Sequence, residues 1–385
     1  MTTAHRLDTI NEYYFSQKLR HIEVLNEEGL KVINLGIGSP DGPPHPDVIK
    51  VLAEESAKPN THAYQSYKGS PVFRKAISDW YNRSYGVTVN PDTEVLPLMG
   101  SKEGIMHLCM TFINPGDEVL IPNPGYPTYR SAVEIAGGKC IDYLLTEEGG
   151  WFPDFDALEK SDLSKVKMMW VNYPHMPTGQ LPTIELFQKL VAFGKKYSIL
   201  ICHDNPYSFI LNETPMSLLQ AEGALETAVE LNSLSKSHNM AGWRIGMLVA
   251  AKERIEAVLR FKSNMDSGMF LPLQLAAAKA LTLGDDWFQN LNKTYKQRRE
   301  KAFQLLDVLH CNYSKDQAGM FVWAQIPASY KNGFALSDVI LEGCKVFITP
   351  GGIFGSAGDR YIRVSLCSSE AVFEAAIERI KSMSL

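Results

Sequence analysis

Seven short, predominantly apolar runs recur through the middle of the chain, at 95–99, 118–121, 140–145, 166–172, 198–202, 228–232 and 245–250. Continuous apolar character, rather than alternation, marks strands covered on both faces, the condition of a mainly parallel sheet. Parallel neighbours need long crossovers, usually helical. Helical spacing appears between several of the runs, at 126–137, 184–197 and 252–260. The pattern predicts an α/β fold whose large domain is a mainly parallel seven-stranded sheet flanked by helices.

The flanks read differently. Tyr14, Phe15, Leu19, Ile22 and Leu25 recur at helical spacing and Gly29 is a plausible stop, so residues 1–30 read as an arm and a helix. A short strand at Val32-Ile33 then breaks into a loop holding Gly36, Gly38 and three prolines, which by itself reads equally as a domain linker or as backbone approached closely by something else. Helices are expected at 46–58, 72–85, 265–282 and 285–309. Beyond them come strand pieces at 319–326, 346–349 and 361–367 and helices at 334–343 and 369–382. This predicts a smaller α+β domain built from both termini: residues 1–44 and 285–385, with 45–284 as the large domain.

Composition narrows the function. A chain of 385 residues with net charge −5 and no long basic run has no electrostatic case for binding nucleic acid or a membrane surface. No apolar run reaches the length of a membrane span. The six cysteines are scattered without a CxxC pair, which suggests reduced thiols, a cytoplasmic protein and no metal.

The chemistry gathers at strand ends, where open α/β sheets bind ligands. Lys236 follows the run at 228–232 and stands among Ser233, Ser235 and Ser237, with Arg244 eight residues on. A buried amine loses its proton more easily, and a neutral amine forms a Schiff base with an aldehyde. Serine hydroxyls and an arginine suit a phosphate monoester. The turn Gly100-Ser101-Lys102 between a strand and a helix could offer free amides to the same phosphate, although taken alone Ser101 reads better as an ordinary N-cap. Pyridoxal phosphate also needs a carboxylate at its ring nitrogen, a donor to its phenolate oxygen and a flat group on its ring. Asp204, Tyr207 and Tyr126 supply these by residue type. Singly they read as a turn residue and two core aromatics; jointly with Lys236 they point to this cofactor.

These segments resemble the class I/II aminotransferases, fold type I pyridoxal phosphate enzymes of the aspartate aminotransferase fold. The resemblance rests on Leu35-Gly36-Ile37-Gly38-Ser39-Pro40-Asp41, GSKEG at 100–104, PGYPTY at 124–129, DNPY at 204–207, SLSK at 233–236 with GWRIG at 242–246, and YIRVS at 361–365, in the family's order. It implies that Lys236 holds the cofactor and moves the proton, Asp204 pairs the ring nitrogen, Tyr207 donates to the phenolate and Tyr126 stacks. It implies a phosphate seat made of Gly100, the Ser101 and Lys102 amides, Ser233, Ser235 and Arg244, with Tyr64 reaching the other subunit of a homodimer. It implies that Arg363 clamps the substrate α-carboxylate, helped by the Gly38 backbone; since residues 1–40 and 285–385 carry these two, gating of the site by the small domain is expected. The implied reaction moves an amino group between an α-amino acid and a 2-oxo acid, in the aspartate, diaminopimelate, methionine or aromatic branch. The alternatives are a β-lyase or aminocyclopropane-carboxylate synthase-like enzyme and, from another class, a ligand-sensing module, for which the chain has no spare length.

One position departs from the family. Where it reads Asn-Pro-Thr-Gly, with the Asn donating to the phenolate, this chain reads Met176-Pro177-Thr178-Gly179. Methionine cannot donate. Either Asn172 or His175 supplies the donor instead, or the phenolate keeps Tyr207 alone.

Overall fold

In the computed structural model, which describes residues 3–8, 10, 12 and 14–383, the strands run in chain order. They are β1 (Ile33–Asn34), β2 (Val95–Leu98), β3 (Glu118–Asn123), β4 (Lys139–Leu144), β5 (Val166–Asn172), β6 (Leu200–Asp204), β7 (Ala228–Ser233) and β8 (Gly246–Ala250), then β9 (Phe321–Gln325), β10 (Val346–Phe347), β11 (Thr349–Pro350) and β12 (Tyr361–Ser365). Seven of them form the main sheet in the order β2-β8-β7-β6-β5-β3-β4.

Both faces of this sheet are covered, which is why its strands read as continuous apolar runs. Val119, Ile121, Met168 and Trp170 point into one cluster, with the helices Ser101–Phe112, Pro127–Ile135 and Lys252–Lys262. Leu120, Met169 and Val171 point into another, against Phe187 and Leu190 of the helix Ile184–Tyr197. Each large apolar side chain buried this way contributes about 1.5–3 kcal/mol.

One strand runs against the rest. β8 is antiparallel to both β2 and β7. The twelve or so residues between β7 and β8 are spent on the Lys236 turn rather than on a crossover helix, and the chain doubles back, with the Leu234 amide on the Ile245 carbonyl at 3.2 Å. The reversal has a consequence for the site. Leu98, Gly246 and Ser233 become lateral neighbours, so the start of β8 joins the carboxyl ends of β2 and β7.

The smaller layer is made by both ends of the chain. β1 pairs in parallel with β10, while β11, β12 and β9 form an antiparallel sheet. The expected strand at 346–349 is thus two strands serving two sheets, with Ile348 between them. The expected helix at 265–282 begins only at Leu271. Ahead of it Gly268 takes φ +82°, and its amide is held by Asp266 Oδ1 at 2.9 Å; neither is compatible with a helix continuing through it. No helix among the described residues is long and apolar enough to cross a membrane.

Candidate active site

The carboxyl ends of β2, β6 and β7, the start of β8 and the middle of β12 meet around one cavity of about 660 Å³. It is lined by Ser101, Lys102, Tyr126, Asp204, Tyr207, Ser233, Ser235, Lys236, Arg244, Gly38 and Arg363. All were singled out from the sequence. Gly100 stands directly behind. Tyr64 is not among the lining residues and is 91% exposed.

At the β2 end, Gly100 is the N-cap of the helix Ser101–Phe112 and makes no side-chain cap. This corrects the reading of Ser101 as the cap. No N-cap side chain covers this helix start, a place where an anion is favoured. Gly100 has φ +90°, and a Cβ built on it would lie inside the Arg244 guanidinium. Arg244 itself adopts φ +55°, which carries its chain round to face the helix start. Ser233 Oγ and Ser235 Oγ lie 2.8 Å apart on the adjoining turn.

Lys236 sits at the centre on the one-turn helix Leu234–Ser237. Its Nζ donates to the Gly38 carbonyl at 2.6 Å. Burial lowers the basicity of this amine, and the Arg363 and Arg244 charges lower it further. Burial and Arg244 do the same to Lys102.

Asp204 ends β6 and is 4% exposed. Oδ2 accepts from the Tyr129 hydroxyl at 2.9 Å, whereas Oδ1 is buried with no hydrogen-bond partner among the described residues. Burial pushes its carboxyl up to about 6, against the lowering influence of Tyr129, His203 and Lys236. Tyr129 was not singled out from the sequence. It lies three residues after Tyr126 and lines the same cavity from the helix Pro127–Ile135; a tyrosine beside another reads as core. It is fixed by stacking on Trp170, centroids 4.9 Å apart and planes within 4°. Tyr207 stands edge-on to Phe321, and burial raises its phenol well above its usual range.

Arg363 occupies the opposite wall. Its Nη2 donates to the Gly36 carbonyl at 2.9 Å, and its Nη1 lies 3.3 Å from the Met176 sulfur. Its plane faces the rings of Phe321 at 3.8 Å and Phe354 at 4.6 Å. A Cβ at Gly36 would overlap Phe347, and one at Gly38 would overlap Phe321. The glycine loop is thus packed into the site and is not a free linker.

The two candidates for the missing donor differ in placement. His175 turns away from the cavity to Thr178 Oγ1 at 2.8 Å, and burial drives its ring pKa down to about 3. Asn172 lines the cavity, but its amide donates to the Asp204 carbonyl and its oxygen accepts from the Met176 amide.

These residues fit pyridoxal phosphate on physical grounds. An unmet buried carboxylate oxygen asks for a cationic N–H. A glycine cradle beside an arginine and the start of a helix asks for a phosphate. A buried amine of lowered basicity stands between them.

Comparison with known proteins agrees. Residues 30–380 match the family model for aminotransferase class I and II. The LL-diaminopimelate aminotransferase of Halothermothrix orenii is 39% identical, with 99% of this chain and 98% of the relative covered. The structure of apo-BacF from Bacillus subtilis superposes with a TM-score of 0.96 at 36% identity, covering 100% of this chain and 99% of that one. The aromatic aminotransferase of Pyrococcus horikoshii does so with 0.86 at 27%, over 94% and 97%. The chain belongs to the class I and II aminotransferases and is a pyridoxal phosphate-dependent member of that family.

Proposed function

We propose that this aminotransferase takes α-amino acids with apolar or aromatic side chains as donors to a 2-oxo acid. Pyridoxal phosphate supplies the aldehyde that accepts the amine and the ring that withdraws electrons from the bond being broken. The protein's residues divide the rest. Gly100, the Ser101 and Lys102 amides, Ser233, Ser235 and Arg244 hold the phosphate. Asp204 Oδ1 pairs the ring nitrogen, Tyr207 donates to the phenolate oxygen and Tyr126 packs on the ring. With the cofactor bound, Lys236 Nζ would take the proton from the substrate Cα and hand it back on the cofactor side, a role that requires the neutral amine favoured by its burial. Arg363 binds the α-carboxylate through two parallel N–H groups, with the Gly36–Gly38 loop beside it.

The observation that carries the donor class is the inventory of charge in the cavity. Among the described residues its cations are Lys102, Lys236, Arg244 and Arg363; the last three have a place in this scheme, and the Lys102 ammonium feels the Arg244 charge on the phosphate side. Among the described residues, Phe15, Phe321 and Phe354 face Arg363, and Leu19 and Ile37 line the same cavity, a surface that welcomes hydrocarbon. The second reading is LL-diaminopimelate as donor, which the names of the curated relatives favour.

A half-reaction screen decides between them. Holoenzyme is mixed with each proteinogenic amino acid and with LL-diaminopimelate, and the loss of the cofactor's visible band is followed. Fast loss with leucine, methionine or phenylalanine is expected. Loss with diaminopimelate alone establishes the second reading. Ammonia release with the band retained would mean elimination instead of transamination.

The resting assembly we propose is a homodimer in which exposed Tyr64 reaches the partner's phosphate. The six cysteines, all free thiols, support a reducing, cytoplasmic setting.

A further inference from the structure

We propose that Met176 is a positioning residue whose thioether sulfur holds the Arg363 guanidinium ready for the incoming α-carboxylate. This rests on the reading of Arg363 as the carboxylate clamp. Met176 is 5% exposed and borders the cavity, and its sulfur lies 3.3 Å from Arg363 Nη1. Its own backbone is held, because the Met176 amide donates to Asn172 Oδ1 at 2.8 Å and Asn172 is tied to the Asp204 carbonyl. The sulfur is thus fixed relative to the carboxylate at the cavity floor.

Among the described contacts, two acceptors of unequal strength bear on the guanidinium. The Gly36 carbonyl at Nη2 is an ordinary acceptor. The thioether at Nη1 is a weak one, soft and polarisable, with no proton to give. An ionised carboxylate forms a hydrogen bond roughly twice as strong as a neutral one, so it displaces the sulfur from Nη1 at small cost. The faces of the guanidinium stay clamped by Phe321 and Phe354, so the group need not turn to make the exchange. A hydrocarbon would remove the directing contact that the sulfur makes. Preorganisation of this kind appears as tighter binding of any carboxylate, whatever its side chain.

The test compares Met176→Leu with Met176→Gln in the holoenzyme. Leucine matches methionine in volume but has no acceptor; glutamine keeps an acceptor at similar reach. Propionate and 3-phenylpropionate, carboxylates without an amino group, are titrated calorimetrically, and KM and kcat are measured for the best amino donor. Met176→Leu is expected to weaken both carboxylates and raise KM by about three- to tenfold, in keeping with loss of one weak contact, while kcat moves less. Met176→Gln is expected to restore carboxylate binding to the wild-type level or better. The reverse order, with leucine equal to wild type and glutamine impaired, means that Met176 only packs and overturns the proposal. Arg363→Leu keeps the two readings apart. If it still binds propionate as wild type does, the clamp assignment itself fails. If it loses binding while Met176→Leu does not, only the role of Met176 fails.

Discussion

Asp204 carries the most revealing charge in the molecule, because its burial works against the form it needs. With its carboxyl pushed up to about 6, it is increasingly protonated below that pH and cannot pair a cationic ring nitrogen. A carboxyl raised in the folded state binds protons that the unfolded chain has released, so its ionisation is disfavoured by folding. In the cofactor-free protein this costs on the order of 2–3 kcal/mol above pH 6. The facing groups are Tyr129, His203, Lys236 and Glu230. Equilibrium titration of the cofactor-free protein with pyridoxal phosphate is therefore expected to show affinity rising through about pH 6. In Asp204→Asn the rise should shrink to the part contributed by the phosphate itself; an unaltered rise would remove Asp204 from that role. Tyr129→Phe tests the same carboxylate from its other oxygen. The stack on Trp170 survives and one donor to a charged group is lost, worth about 1.5–3 kcal/mol. The affinity rise should move to higher pH, and neutral-pH affinity should fall about tenfold or more. Lys236, Asp204 and Tyr207 stand out in the sequence because they follow apolar runs that predict strands, whereas Arg363 comes only from the resemblance of YIRVS to the family. Tyr129 does not stand out, because only its distance to Asp204 distinguishes it from a core ring.

At the scale of elements, the helix Ser101–Phe112 shows why one glycine matters. Gly100 both turns the chain at φ +90° and leaves room for Arg244. Gly100→Ala forces a residue into backbone that L side chains rarely adopt, at about 1–3 kcal/mol, and displaces the guanidinium. Urea unfolding of the cofactor-free variant should show a loss of that size, and its affinity for pyridoxal phosphate should fall further than a remote substitution of equal destabilisation allows. The same helix is steadied from behind. Glu103 accepts from the Met99 amide and contacts His107 Nε2 at 2.9 Å, next to the buried pair Lys262–Asp266. The apolar period made the sheet readable, since burial on both faces leaves a plain signature. Strand direction left none: β8 is as apolar as its neighbours, and only the short Lys236 connection reverses it. The overlong helix at 265–282 has a different cause: it carries the apolar pattern of 271–278 back over Asp266-Ser267-Gly268, itself a turn signal, and Gly268 packs against the Gln65 and Ser66 carbonyls.

At the scale of the whole molecule, the site is not complete in one chain under the proposed scheme. Tyr64, at 91% exposure, is far more exposed than a large aromatic normally is, and Tyr67, Met265 and Phe270 are also substantially exposed. His62 packs against Phe270, centroids 5.7 Å apart, and the Gly268 turn packs on the loop that carries Tyr64. A symmetric dimer through this face would deliver each Tyr64 to its partner's phosphate. Subunit mixing tests it directly. Tyr64→Phe retains Lys236 and, assayed at cofactor concentrations below its own Kd, should be largely empty and inactive. Lys236→Ala retains Tyr64 and should be inactive at any concentration. When the two are unfolded together and refolded, a mixed dimer holds one site with both changes and one site with neither. Random pairing makes about half of the dimers mixed, each with one intact site in two, so about a quarter of wild-type activity should return. If each chain instead used its own Tyr64, no mixture could assemble an intact site, and activity would stay at the level of the two parents.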